Sequence, residues 1–384
     1  MIQLNDAKTQ LDDLLARIAE GIQLDDTRKK RMESAYNAIQ ELLDEDEVFF
    51  KNVQFEIYPQ GSMRIGTTVK PTAKNEFDLD IVIHLIVDWA HFNPQKIYNE
   101  LKRVLTENGN YKDKVELKNR CIRLDYAGDF HMDILPGCQE TEYDSNKLVV
   151  PDRKLGNWAS SNPRGYADWF TDRADRVKMS LLEKAFSAQD LPADDFAKKK
   201  PLQRAVQLIK MYRDQYFKDH QKMATSSVIL TTIAGQFYDG EDSIYDTIDN
   251  VIQRIKNELA NKIGYYERLV ILNPVNHKED FTDKWARDKE PELYEYFKKF
   301  ISHLDDQWQK LKEESGVVQE RHILTELFGE SAFQAAQKSQ ADYIEKARKS
   351  NVLGMNKKTG TLTSSTITGA KSVVDNTFFG GHEE

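Results

Sequence analysis

Cysteine is almost missing from this chain: of its 384 residues only Cys121 and Cys138 are cysteines, and neither sits in a paired Cys/His spacing. That argues against a disulfide framework and against a structural zinc. Also missing is any stretch near the ~20 apolar residues that cross a bilayer. The start Met1-Ile2-Gln3-Leu4-Asn5-Asp6 has no basic segment followed by an apolar run. A cytoplasmic protein without membrane contact is expected. Positive charge is not in excess either, with 54 Lys and Arg against 63 Asp and Glu for a net charge of −9. No global basic footprint exists, so no long nucleic acid is expected as a partner. No internal repeat is visible, and the length suits two lobes better than one.

What the chain does have is concentrated between residues 60 and 85. In Asn75-Glu76-Phe77-Asp78-Leu79-Asp80-Ile81-Val82-Ile83-His84-Leu85, strand periodicity puts Phe77, Leu79, Ile81, Ile83 and Leu85 on one face. Asp78 and Asp80 then project together from the other. Two carboxylates one pleat apart at the start of an apolar strand are costly unless a cation lies between them, and a metal ion is the obvious one. About sixteen residues earlier, Val53 to Tyr58 reads as a short strand stopped by Pro59, delivering Gln60-Gly61-Ser62 into a turn or helix start. A glycine there lets backbone approach a ligand, and a serine followed by free amides forms an anion-binding concavity. One element could hold a triphosphate and the other its metals.

A third carboxylate should come from a neighbouring strand, and residues 121 to 135 read as a hairpin. A three-residue loop at Ala127, Gly128 and Asp129 pairs Tyr126 with Phe130, Leu124 with Met132 and Ile122 with Ile134, which gathers the large apolar groups on one face. A two-residue loop would mix the faces. The preferred register places Asp133 on the polar face opposite Arg123, and Asp125 opposite His131. Asp133 is the expected third ligand, with Asp125 and Asp129 as alternatives; a plain strand ion pair with Arg123 is the competing reading of Asp133.

Gly61-Ser62, Asp78-x-Asp80 and a later strand Asp together resemble the polymerase-beta-type nucleotidyltransferases. More narrowly, Tyr58-Pro59-Gln60-Gly61-Ser62-Met63-Arg64-Ile65-Gly66-Thr67 and Phe77-Asp78-Leu79-Asp80-Ile81-Val82 resemble the cGAS/DncV-like enzymes of bacterial anti-phage signalling. Gly156-Asn157-Trp158, Asn162-Pro163-Arg164-Gly165-Tyr166 and Asn273-Pro274-Val275 through Trp285 agree with that resemblance, which spans roughly residues 50 to 310. It implies an α+β fold: a polymerase-beta-like core, with a mixed sheet and N-terminal helices, plus a C-terminal helical lobe. It also implies a synthase that joins nucleoside triphosphates into a cyclic di- or trinucleotide, with loss of pyrophosphate. Two Mg²⁺ ions about 3.5–4 Å apart, or Mn²⁺ in their place, would be held by Asp78, Asp80 and Asp133. Gln60, Gly61 and Ser62 would hold the outer phosphates. By the same resemblance a helix lysine contacts the incoming triphosphate; Lys210 is the position carried over, with Arg204 and Arg213 competing.

Elsewhere, residues 4 to 22 and 27 to 49 carry apolar stripes of two amphipathic helices, with Asp25 or Asp26 as a cap. Arg28-Lys29-Lys30-Arg31 reads as a solvated face. Thr225-Ser226-Ser227 before an apolar run reads as a helix start where Ser226 or Ser227 could serve phosphate. Trp158 and Tyr166 divide between base stacking and core, and Asn157, Asn162 and Asn273 are candidates for base choice. The expected division is a catalytic lobe with its N-terminal helices over residues 1–190, a helical lobe over 191–350 and a flexible tail over 351–384. The tail ends Phe379-Gly380-Gly381-His382, which resembles the ends of ubiquitin-like modifiers and raises a ubiquitin-transfer-like partner. Two other functions stay open at this level: nucleotide addition to an RNA end or another acceptor, and a catalytically silent nucleotide-binding module.

Overall fold

The computed structural model describes residues 7–70, 76–126, 128, 130–177, 198–262, 268–313, 317–350, 353–356, 362–364 and 370–372. In chain order, helices α1 (Ala7–Gly21) and α2 (Asp26–Asp44) precede strand β1 (Phe55–Pro59), the single turn α3 (Gly61–Arg64) and β2 (Phe77–Leu85). Asp25 is the α2 cap, its Oδ1 accepting the Arg28 N–H at 2.9 Å. Then come α4 (Pro94–Glu107), β3 (Val115–Leu117), β4 (Ile122–Asp125), β5 (Phe130–Thr141), β6 (Asp144–Asp152) and β7 (Asn157–Ser161). These strands form one seven-stranded mixed sheet in the order β1-β2-β5-β4-β3, with β6 on the far half of β5 and β7 on β6. The β2–β5 pair is parallel, and the other pairs are antiparallel.

Period-two alternation decides what each sheet face does. Phe77, Leu79, Ile81, Ile83 and Leu85 are buried with Ile122, Leu124, Met132 and Ile134 beneath the apolar stripes of α2 and α4. Each such side chain contributes about 1.5–3 kcal/mol before the entropy of ordering is counted. The opposite face carries Asp78 and Asp80 and then, further along β2, a small apolar group of Val82 with Tyr58, Leu148 and Val150.

A second core lies among helices α5 (Pro163–Ala174), α6 (Pro201–Tyr216), α7 (Ser227–Phe237) and α8 (Ile244–Ala260), then α9 (Glu292–Glu313), α10 (Val317–Phe328) and α11 (Glu330–Lys349). Phe170, Leu208, Tyr212, Phe297, Phe300 and Trp308 fill it. Leu11, Leu14, Leu15, Ile18 and Ile22 from α1 belong to this core as well. Helices α1 and α5 thus bury their apolar residues in this second core. An apolar stripe specifies that a helix face is buried but not which core buries it.

The hairpin β8 (Leu272–Asn273) and β9 (Asn276–Asp280) links the lobes, with Arg120 Nη1 lying 3.6 Å from Glu279 Oε1. Within the stretch expected to be a flexible tail, β10 (Leu353–Asn356), β11 (Leu362–Ser364) and β12 (Ala370–Ser372) pair antiparallel in the order β11-β10-β12. Composition pointed away from that pairing; Gly380 and Gly381 lie outside the described residues. No helix among the described residues is long and apolar enough to cross a membrane.

Candidate active site

The parallel ladder sets Asp80 directly beside Asp133 and Asp78 beside His131. Across the antiparallel ladder Arg123 faces Asp133, Leu124 faces Met132, Ile122 faces Ile134 and Asp125 faces His131. This is the register that keeps the large apolar groups on one face. Asp125 thus sits at the strand end, away from the Asp80–Asp133 pair, and Asp129 lies outside the described residues.

The Gly-Ser turn is pinned by backbone to the main chain of Asp80. The Gln60 N–H donates to the Asp80 carbonyl at 2.8 Å. Gly61 has a φ of +60°, and a Cβ added to it would lie 2.2 Å from Asp80 Oδ2. Only glycine fits there, both for its backbone conformation and for the space. Ser62 Oγ lies 3.2 Å from Thr68 Oγ1, and the Ser62 carbonyl accepts the Thr67 N–H at 2.9 Å, which closes the turn.

Charge at this face is unbalanced. Burial, then the neighbouring charges of Asp78 and Asp133, push the Asp80 carboxyl up to about 7. The Asp78 carboxyl is also raised, by burial first, against the opposing pull of Arg123. Arg123 supplies one cation: its Nε reaches Asp133 Oδ1 at 2.7 Å, and its Nη2 reaches Asp133 Oδ2 at 2.8 Å and Asp78 Oδ1 at 3.1 Å. Three carboxylates against one guanidinium leave net negative charge on hard oxygen donors, and that donor set fits a divalent cation such as Mg²⁺. A neighbouring group could also hold a metal: Glu76, Asp125 and His131 bring one ligand atom each to within 4.8 Å of one another. There Glu76 Oε1 already accepts the Gly128 N–H at 2.7 Å, and its Oε2 lies 2.7 Å from His131 Nε2.

From the helical lobe, α6 presents three side chains to the same turn. Gln203 Nε2 donates to the Ile65 carbonyl at 2.9 Å, Gln207 Nε2 to the Thr68 carbonyl at 2.5 Å and Lys210 Nζ to the Thr67 carbonyl at 3.1 Å. Their spacing of four and three residues is that of one helix face. At the start of α7, Arg213 Nη1 donates to the Ser227 hydroxyl, and Arg213 Nε to Asp214 Oδ1 at 2.8 Å.

Residues 9–174 match the Second Messenger Oligonucleotide or Dinucleotide Synthetase domain. The chain is 43% identical over 380 residues to a c-di-GMP synthase of Roseivirga ehrenbergii, covering 99% of this chain and 100% of that protein. The chain belongs to this synthetase family. A cyclic dinucleotide synthase CdnG of Bradyrhizobium diazoefficiens is 25% identical over 301 residues, 73% of this chain and 71% of that protein. In fold, the chain matches the structure of the Bradyrhizobium diazoefficiens CdnG in complex with GTP, with a TM-score of 0.70 and 21% identity over 86% of this chain and 99% of that one. It also matches Vibrio cholerae DncV bound to 3′-deoxy GTP, with a TM-score of 0.53 and 16% identity over 81% of this chain and 77% of that one. These likenesses establish the nucleotidyltransferase core with its helical lobe.

Within this synthetase the residues singled out from sequence have distinct surroundings. Lys210 is buried on Thr67, its amine brought down to about 7 by burial first and by Arg213 next. Arg213 lies within electrostatic reach of Asp78, whereas Arg204 senses Asp12 and Glu20 of α1. Ser226 occupies the α7 cap position and is exposed, without a side-chain cap bond. The three asparagines considered for base choice are used locally. Asn162 Oδ1 accepts the Gly165 N–H at 2.9 Å, Asn273 Nδ2 donates to Glu279 at 2.9 Å and Asn157 Oδ1 accepts the Trp158 N–H at 2.8 Å. Tyr166 donates or accepts at Thr232 Oγ1 at 2.9 Å and packs on the helical core, while Trp158 lies edge-on to Trp89.

Sequence reasoning missed Cys121, Gln203, Gln207 and Thr67. The Cys121 thiol is pushed up to about 12 by burial first and by the neighbouring charges of Asp133 and Asp80 next. Gln207 was findable: it is a fully buried amide within the apolar run Ala205 to Tyr212, a placement that demands a partner.

Proposed function

We propose that this synthetase joins two GTP molecules into cyclic di-GMP and acts in the cytoplasm as the signal-producing enzyme of an anti-phage system. The single observation that carries the site assignment is the Asp80–Asp133 register with Asp78 one pleat away and Gly61 packed on Asp80. The 43% identical c-di-GMP synthase supports the base and the product.

In this reading Asp78, Asp80 and Asp133 hold two Mg²⁺ ions, for which Mn²⁺ can substitute. Magnesium bound there supplies activation of the attacking ribose hydroxyl and neutralisation of the departing pyrophosphate. The chain's own residues supply position. Gln60, Gly61 and Ser62 present backbone and hydroxyl to the outer phosphates from the catalytic lobe. The α7 start at Ser226 and Ser227, with Arg213 beside it, closes on the phosphates from the helical lobe. Lys210 acts through Thr67, fixing the turn, and its charge is favoured once phosphate arrives. Residues from β1 to β7 make the catalytic lobe and α6 to α11 the helical one, with α1 and α5 docked on the latter.

The deciding experiment incubates the protein with each α-labelled NTP and Mg²⁺, then with phosphatase. A phosphatase-resistant product from GTP alone with the mobility of cyclic di-GMP is expected. Asp78→Ala with Asp80→Ala should abolish it while the circular dichroism spectrum is kept. Labelled polymer would instead favour addition to an RNA end, and absence of any product would favour a silent nucleotide-binding module. The Gly380-Gly381 end is proposed as the acceptor or donor point for a ubiquitin-transfer-like partner; an unchanged intact mass after co-expression with neighbouring genes would refute it.

A further inference from the structure

Arg123 is the residue at this face with no part in the reading so far. It arrives from β4 in register with Asp133, so its placement follows from strand pairing and not from a mobile loop. Its guanidinium forks onto both oxygens of Asp133, at 2.7 and 2.8 Å, and extends the second nitrogen to Asp78 Oδ1 at 3.1 Å. Two of the three carboxylates that would ligate metal are thereby bridged by one tethered cation. The third, Asp80, has Gly61 packed close against its carboxylate, while the Gln60 N–H fixes its backbone carbonyl. His131 Nδ1 stands 3.8 Å from the same Asp78 oxygen that Arg123 contacts.

We propose that Arg123 competes with divalent metal for the Asp78 and Asp133 oxygens, so that it is a positioning residue that sets the metal affinity of the site. The inference rests on the assignment of Asp78, Asp80 and Asp133 as metal ligands. A planar fork satisfies two carboxylates geometrically in a way a point charge does not. A bound dication would displace Arg123 from the Asp78 oxygen and share the Asp133 oxygens with it, since each has a second lone pair to offer. The like charges repel, which weakens metal binding. In exchange the metal-free enzyme keeps its carboxylates ordered instead of splayed. Metal then arrives best together with a triphosphate, whose added negative charge offsets the guanidinium.

The test measures Mn²⁺ binding by the loss of its free-ion EPR signal, alongside melting temperature in EDTA and in Mn²⁺, none of which depends on turnover. Arg123→Gln, neutral but able to keep one hydrogen bond to Asp133, is expected to bind Mn²⁺ on the order of tenfold more tightly than the native protein. It should melt lower in EDTA and gain more from Mn²⁺. Arg123→Lys, which keeps the charge, should stay near the native affinity. Equal or weaker Mn²⁺ binding by Arg123→Gln, or a Lys variant as tight as the Gln one, overturns the proposal. A Gln variant that folds only with Mn²⁺ is the expected result in stronger form, and one unfolded in both conditions overturns it by making Arg123 irreplaceable to the fold. Asp80→Asn separates the two levels. If it leaves Mn²⁺ binding unchanged, the metal-ligand assignment fails and the competition with it. If it removes that binding while Arg123→Gln matches native protein, only the competition fails.

Discussion

At Gly61 one missing methyl group holds the site open. A side chain there would meet Asp80 Oδ2 at 2.2 Å in a backbone conformation of φ +60° that L residues rarely adopt. Gly61→Ala should therefore displace Asp80 or the turn, lowering kcat/KM for the nucleoside triphosphate by about 100-fold, as ångström-scale misplacement does. A product assay against the native enzyme checks it, and activity within twofold of native would contradict the close approach. Lys210 gives a second prediction at this scale. Its folded pKa of about 7 lies below the ordinary 10.5, so between those values the unfolded chain binds more protons than the folded one. Stability then rises with pH from about 7 to 10.5, and the cost of burying the charge is fully present below 7. Urea unfolding of native protein and Lys210→Met across that range should show the native curve climbing relative to the variant. Parallel curves would mean that the buried amine keeps its proton in the folded state across this range, as it does in the unfolded chain.

The face of α6 that carries Gln203, Gln207 and Lys210 ties three carbonyls of the turn after Ser62 to the helical lobe. Gln207→Leu leaves the Thr68 carbonyl short of a partner and should cost about 1–3 kcal/mol of stability. Because Thr68 also touches Ser62, the same variant should raise KM for the nucleoside triphosphate more than it lowers kcat. Steady-state kinetics together with denaturant unfolding separate the two effects; a stability loss with unchanged KM would make the ladder purely structural. In contrast, Leu79→Ala on the covered face of β2 should cost about 2–5 kcal/mol while KM stays put.

Across the molecule, α1 is clasped by α11, with Arg17 donating to Ser339 Oγ at 2.8 Å and Gln340 Nε2 to Asp13 Oδ2 at 2.9 Å. Phe333 and Ala336 of α11 are buried in the helical core. Removing residues 351–384 should leave melting temperature and product formation close to native, because the described residues of that core all lie before them. Removing 330–384 exposes the α1 stripe and should lower the melting temperature by at least 5 °C or leave insoluble protein. Equal stability of the two truncations would show that α11 is dispensable.

Much of the carboxylate face was legible before any coordinates. Strand alternation has a period of two, so Asp78 and Asp80 had to share a face with each other and not with Leu79. The demand that apolar groups share one side selected the hairpin register and with it Asp133 opposite Arg123. Those are local constraints that neighbouring residues impose on one another. The pairing of Asp80 with Asp133, the clash that reserves position 61 for glycine and the grip of Arg123 on two carboxylates came from contacts between distant segments. So did the docking of α1 and α5 on the helical core and the burial of Lys210 on Thr67. A helix stripe or a lone lysine carries no address for its partner; packing in three dimensions supplies it.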